Sequence, residues 1–389
     1  MKFGCRRVVL RALGTAMVCL LGVAGAGGQA GSDQKPQMAE DVFKNVQVLR
    51  GISADEFMGT MGFFSAALGL NCTDCHTPES VGHWEKFADD TPLKNTTRKM
   101  ILMVRTINQA NFGGKRSVTC YSCHRGINRP EGTPSLDEQY GAPPPEDPDR
   151  VEIVTQTPTG PSAEQILDKY IQALGGAPQL AKLTSFVAKG TYSGYNTDFV
   201  KVPLEVFAKA PGQYTTIVHT PLGNSTITYD GRAGWIAAFD KPLPLLTLTG
   251  GDLDGAKLDA EMAFPARIKQ ALSNWRAGFP DTTIGDREVQ VVEGIAPGGT
   301  RAKLFFDKQS GLLVRQLRYV NTMVGLNPTH IEYSDYREVA GVKMPFHWVT
   351  TWTDGQSTTE LSEVQPNAPI DAAKLARPAP APPPKPATP

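Results

Sequence analysis

Cysteine is scarce in this chain of 389 residues, and its placement matters more than its number. Cys5 and Cys19 lie near the start, and the other four fall between positions 72 and 123. Nothing beyond Cys123 can form a disulfide, so the long remainder must hold together by burial and hydrogen bonding. Long apolar runs are equally rare. Leu13 to Val23 is too short for a spanning helix, and no later stretch is long and apolar enough. Neither sign of charge is in excess, with 39 Lys and Arg against 39 Asp and Glu, which argues against a nucleic-acid surface. There is no glycine-rich phosphate loop and no nucleophile elbow. His219, His330 and His347 are scattered over strand-like segments and read as hydrogen-bonded or solvated residues rather than bases. Trp235, Trp275, Trp348 and Trp352 read as core and sheet surface.

Residues 1–30 read as a secretory signal peptide. Lys2, Arg6, Arg7 and Arg11 precede the short apolar run, and Ala24-Gly25-Ala26 or Gly28-Gln29-Ala30 offers a cleavage site. Removal of those four cations leaves the remainder mildly acidic. Ala16-Met17-Val18 before Cys19 is a poor lipoprotein signal, so lipid anchoring is the lesser expectation. The chain is expected in the periplasm.

All four remaining cysteines lie in two copies of one pattern, Cys72-Thr73-Asp74-Cys75-His76 and Cys120-Tyr121-Ser122-Cys123-His124. Cys-x-x-Cys-His is the attachment signature of c-type haem. Two thiols add across the haem vinyl groups, and the adjacent His ligates the iron from one face. The rival readings are a zinc knuckle, a thioredoxin-like pair and a disulfide. A zinc site does not need the repeated His, and a thioredoxin motif sits between a strand and a helix in a βαβ context. Two covalent haems are therefore expected, with Cys72, Cys75, Cys120 and Cys123 as thioethers and His76 and His124 on the irons.

The expected organisation is a haem-bearing unit over 31–129, a proline-rich linker over 130–161, a cysteine-free unit over 162–371 and a disordered Pro/Ala-rich tail over 372–389. In the first unit, Ser53 and Glu56 form a capping box that opens a helix running to Gly69. A second helix starts at Pro92, capped by Thr91, and runs to about Phe112. Each helix carries methionines on one face and precedes a haem motif: Met58 and Met61 on the first, Met100 and Met103 on the second. Each iron needs a sixth ligand, and a thioether suits an electron carrier. His83 is the bis-His alternative.

Phe57-Met58-Gly59-Thr60-Met61, then Leu68-Gly69-Leu70-Asn71 and the first motif, resembles the tetrahaem cytochrome c subunit of photosynthetic reaction centres. So does the run from Met100 to Asn108, followed by Val118-Thr119-Cys120-Tyr121-Ser122-Cys123-His124-Arg125-Gly126. The resemblance covers about residues 41–130. It implies that Met61 is the distal ligand of the first haem and Met100 that of the second, with Met103 close behind. That family carries two such haem pairs where this chain has one, and it lacks the long second unit. The resemblance therefore implies a shared dihaem module used for general electron transfer between redox partner proteins, membrane complexes among them.

The cysteine-free unit opens on a helix over 162–175, followed by hairpin-like strands and a second helix over about Lys257–Trp275. The expected fold is an α-helical dihaem cytochrome c module followed by an α+β antiparallel half-barrel-like domain. The run Tyr333-Ser334-Asp335-Tyr336-Arg337-Glu338-Val339-Ala340-Gly341-Val342-Lys343-Met344-Pro345-Phe346 resembles periplasmic lipoprotein-carrier-like half-barrels, which implies an apolar ligand held over 162–371. The leading expectation is a periplasmic dihaem electron carrier rather than an enzyme. The alternatives are a dihaem peroxidase-like oxidoreductase, which needs one open haem, and a lipid or lipoprotein carrier tethered to a cytochrome.

Overall fold

The computed structural model describes residues 35–143, 145–155, 157 and 159–383. The expected signal peptide with Cys5 and Cys19, and the tail beyond residue 383, lie outside the described residues.

Local sequence sets the helices. Ser53 Oγ accepts the Glu56 N–H at 3.1 Å and opens α1 (Ala54–Leu68), which ends at Gly69 with φ 63°. The first Cys-x-x-Cys forms α2 (Cys72–Cys75). Thr91 Oγ1 caps α3 (Pro92–Phe112) by accepting the Lys94 N–H, with proline at the first turn and Gly113 at the end. The second motif forms α4 (Cys120–His124). Ser162 and Gln165 form a capping box on α5 (Ala163–Ala173).

The sheet has fifteen strands among the described residues. In chain order they are β1 (Ile153–Val154), β2 (Ser185–Gly194), β3 (Val202–Lys209), β4 (Gln213–Thr220), β5 (Gly223–Tyr229), β6 (Gly234–Ala238), β7 (Leu246–Thr247), β8 (Ser273–Gly278), β9 (Thr282–Ile284), β10 (Arg287–Ile295), β11 (Arg301–Asp307), β12 (Leu313–Asn321), β13 (Leu326–Val339), β14 (Val342–Trp352) and β15 (Gly355–Pro366). All pair antiparallel, in the order β1-β8-β10-β11-β12-β13-β14-β15-β2-β3-β4-β5-β6-β7, with β9 on β10. Helices α5, α6 (Gly250–Ala263) and α7 (Ile268–Ala271) fill one face, burying Leu167, Ile171, Leu258 and Ile268 against Phe186, Leu204, Leu304 and Phe306.

Three expectations need correction. The second helix of the sheet region starts at Gly250, not near Lys257, and it breaks at Pro265, whose ring cannot continue an α-helix; Trp275 lies on β8. The end of the expected linker is pinned to the sheet. There β1 pairs with β8, and Arg315 Nη1 meets Asp149 Oδ1 at 2.8 Å. Part of the expected disordered tail is folded: Leu375 is 3% exposed against Phe207 and Ile217, and the Ala381 N–H donates to Pro244 O at 2.8 Å.

The described residues from Pro36 onward form one compact unit. The helical region meets the sheet at the turn between β12 and β13. Asn327 Nδ2 donates to Gly59 O at 2.7 Å. The Phe63 ring lies where a side chain at residue 325 would be, so Gly325 is required there.

Candidate functional site

Both Cys-x-x-Cys-His runs begin as short helical turns whose starts are closed by side chains. Asn71 Oδ1 accepts the Thr73 and Asp74 N–H groups, and the Asp74 carboxylate takes the Asn71 N–H at 2.8 Å. At the second motif, Ser122 Oγ accepts the Thr119 N–H at 3.0 Å. Residues i and i+3 of a helix share a face, so each pair of thiols lies side by side. All four cysteines are free.

A backbone carbonyl aims each histidine. His76 Nδ1 is 3.0 Å from Phe87 O, and His124 Nδ1 is 3.1 Å from Ile127 O. A carbonyl only accepts, so Nδ1 carries the hydrogen and Nε2 keeps its lone pair for a ligand bond. Burial, joined by the charge of Lys94, holds His76 below the usual imidazole range despite the Phe87 hydrogen bond. It is therefore a neutral donor at neutral pH. The loop between α2 and α3 is held as well: Thr91 Oγ1 donates to Cys75 O at 2.6 Å, and Lys94 Nζ donates to Phe87 O at 2.9 Å.

Burial pushes the Cys75 and Cys120 thiols up. A thioredoxin-like pair needs the opposite shift. Among the described residues, no three His, Cys, Asp or Glu side chains converge as a metal cage.

The two motifs adjoin. The Gly126 N–H donates to Ala67 O at 3.0 Å, and a Cβ at residue 69 would collide with the Gly126 carbonyl. The end of α1 thus clamps the tail of the second motif and leads into the first. Cys120 is buried with Phe63, Phe64, Ala67 and Ile101, and Met61 packs against that cluster. Met58 is half-buried on the same helix. Met100 and Met103 are 39% and 46% exposed on α3. His83 is exposed and lies 3.5 Å from Glu85.

Met323 comes to the second motif from the sheet region. It lies on the turn between β12 and β13, far along the chain from either motif, and with Val324 it lines a cavity of about 290 Å³ beside Cys120. Its surroundings, Asn321-Thr322-Met323-Val324-Gly325, read only as a turn, so no local signal marked it.

The sheet region brings no comparable set together. His219 pairs with Glu205 at 3.0 Å and His347 with Ser334 at 2.8 Å, on separate strands. A cavity of about 330 Å³ near β1 is lined by Arg276, Glu293, Arg301 and Lys303, a polar wall unsuited to an apolar guest.

Residues 26–144 match the family model described as photosynthetic reaction centre cytochrome C subunit. The photosynthetic reaction center cytochrome c subunit of Thermochromatium tepidum is 35% identical over 99 residues, which is 24% of this chain and 23% of that protein. Its counterpart from Roseobacter denitrificans is 31% identical over 102 residues, 24% of this chain and 27% of that one. The chain thus matches about a quarter of these relatives' length. A LolA superfamily protein from Nitrosomonas europaea aligns with 54% of this chain and 96% of its own, at 14% identity and a TM-score of 0.37, too low to equate the folds.

Proposed function

We propose that this chain is a periplasmic dihaem c-type cytochrome that carries single electrons between redox partners, including membrane complexes. The observation that carries the reading is the repeat itself. Two helical Cys-x-x-Cys-His turns flank the end of α1, and each has its His Nδ1 tied to a backbone carbonyl, leaving Nε2 for a metal.

The residues fit covalent haem. Around the motifs, Val81, Trp84, Met100, Leu102, Met103, Phe112, Tyr121 and Ile127 are exposed, apolar surface that flat apolar rings would cover. Cys72 and Cys75 would hold one haem and Cys120 and Cys123 the other, through thioether bonds. His76 and His124 are the proximal ligands. Met61 is the distal ligand of the first haem, with Met58 and His83 as alternates. Sequence alone points to Met100 for the second, with Met103 as its alternate. A bound haem would supply a one-electron ferric/ferrous couple. The filled face of the sheet supports a scaffold role for that region rather than a carrier's.

Expression with export to the periplasm tests this. A haemochrome assay should count two haems per chain that survive acid-acetone extraction, and Cys72→Ala with Cys75→Ala should leave one. A folded preparation with zinc and no Soret band would sink the proposal.

A further inference from the structure

The helices cover the face of the sheet that carries Val292, Ala302 and Leu304, so the residues that alternate with these stand on the outer face. There Glu293 on β10 lies opposite Lys303 on β11 and opposite Arg276 on β8. Arg301, two residues before Lys303, shares that face and lies opposite Tyr319 on β12. The chain just after the proline-rich stretch runs beside these side chains, and its Val151 and Ile153 complete a cavity of about 330 Å³. That wall is fixed in place. Lys303 Nζ donates to Asp149 O at 2.7 Å and to Val151 O at 3.2 Å, and Arg315 Nη1 holds the Asp149 carboxylate at 2.8 Å.

Three cations, Arg276, Arg301 and Lys303, line this cavity with one carboxylate, Glu293. Glu293 is buried and already matched, since Arg276 Nη2 donates to its Oε1 at 2.9 Å. The nearby Asp149 and Asp147 carboxylates are paired with Arg315 and Arg150. Positive charge is therefore in excess inside the cavity. Lys303 is buried, and desolvation holds its ammonium below the usual range, although Glu293 and Asp149 oppose the shift. The Arg301 guanidinium lies 5.9 Å from the centre of the Tyr319 ring and forms no ion pair among the described residues. Burial, joined by the charge of Asp149, pushes Tyr319 up to about 12, so its hydroxyl stays a hydrogen-bond donor at neutral pH. A guanidinium, an ammonium and a phenol that face one small space form a donor set for oxyanions. The planar fork of arginine matches two oxygens of a phosphate or carboxylate. The volume stands at the small end of the usual range for ligand sites, about 300–1,000 Å³.

We propose that this outer-face cavity binds a small oxyanion, a phosphate or carboxylate group, through Arg301, Lys303 and the Tyr319 hydroxyl. None of the residues assigned to the haems takes part, so binding can be read whatever the haem count. The test is calorimetric titration of the full chain with inorganic phosphate and, separately, with succinate, both at constant ionic strength. Saturable binding of at least one probe is expected, and the tighter of the two tells phosphate from carboxylate. Added salt should weaken it, because the attraction is between charges. Arg301→Gln should weaken binding about tenfold and Tyr319→Phe about threefold, as charge-assisted and neutral hydrogen bonds differ. Arg301→Lys keeps the charge but loses the fork, and it should weaken binding less than Arg301→Gln. Arg337→Gln removes a cation from an exposed pair with Asp335 on β13 and should leave binding unchanged. In the absence of probe, the urea midpoints of Arg301→Gln and Tyr319→Phe should stay close to that of the wild type. No saturable binding of either probe at millimolar concentration overturns the proposal. So does equal weakening in Arg301→Gln and Arg337→Gln, or undiminished binding in both Arg301→Gln and Tyr319→Phe.

Discussion

Around the two motifs, Trp84, Leu102, Phe112 and Tyr121 stand in solvent, while Leu304, Phe306 and Leu313 in the sheet are almost completely enclosed. Both regions are rich in apolar side chains, but only the sheet region uses its own helices to cover them. The helical region buries a small cluster along α1 and leaves much of the rest open. A chain that exposes this much apolar surface is shaped for something that covers it. The sheet region needs no such group and can serve as the support on which the helical region is held.

The largest expected effect breaks this comparison directly. With all four of Cys72, Cys75, Cys120 and Cys123 changed to Ala, the helical region loses the group that covers its apolar side chains. Amide hydrogen exchange over residues 36–129 should speed up roughly a hundredfold or more, while β10–β14 keep their protection. Equal protection in both regions would show that the helices are self-sufficient and remove the contrast.

A second test sharpens the contrast between two glycines of the helical region. Gly69 and Gly113 end α1 and α3 in the same left-handed conformation, with φ 63° and 59°. Gly113 has open space around its Cβ position, whereas a Cβ at residue 69 meets the Gly126 carbonyl. Gly113→Ala should cost about 1 kcal/mol, the strain of the backbone alone. Gly69→Ala should cost about 3 kcal/mol, because the two motifs must also move apart. Urea midpoints of the two variants check this, and equal losses would mean the junction of the motifs yields easily.

Much of the site was legible because its signals are local. The capping residues Ser53 and Thr91, the terminal glycines and both Cys-x-x-Cys-His runs are read within a few residues, and the structure forms both long helices where those signals stand. The hairpin-like strands expected after the helix over 162–175 are also present. What was illegible depends on contacts between distant residues. β15 is a polar run of Ser, Thr and Glu that becomes a strand because β14 and β2 flank it. Helix α6 begins in a glycine-rich stretch with weak intrinsic helical preference. Met323 reaches the second motif only through the fold. Leu375 sits in a proline-rich tail that composition alone marks as disordered, yet it covers Phe207 and Ile217. Leu375→Ala should cost about 2 kcal/mol and expose residues 376–383 to proteolysis, whereas a tail that was merely adjacent would show neither change.

The smallest expected effect lies at the junction of the two regions, where the N-termini of α1 and α6 meet. Asp55 is 6% exposed there and accepts the Thr249 N–H at 2.7 Å, while Ser53 Oγ and Thr249 Oγ1 lie 2.7 Å apart. Burial first, then the charge of Asp252, pushes Asp55 up to about 8. Asp252 is raised by burial as well, opposed by the charge of Arg318, and Glu56 adds a further negative charge near Asp55. From the ordinary carboxylate range up to about 8, the folded chain keeps a proton on Asp55 that the unfolded chain has released. Stability must therefore fall as pH rises through that window. The contribution is complete below the ordinary carboxylate range and gone above the raised value. Asp55→Asn keeps an oxygen for the Thr249 N–H and removes the titration. Its urea midpoint should change less with pH than that of the wild type, with the remaining slope due to Asp252 and other buried carboxylates, Glu56 and Glu261 among them. The two proteins should converge at acidic pH and separate above pH 8, where the wild type must bury a carboxylate at the junction. An identical pH slope in the two proteins would show that Asp55 is not the titrating group.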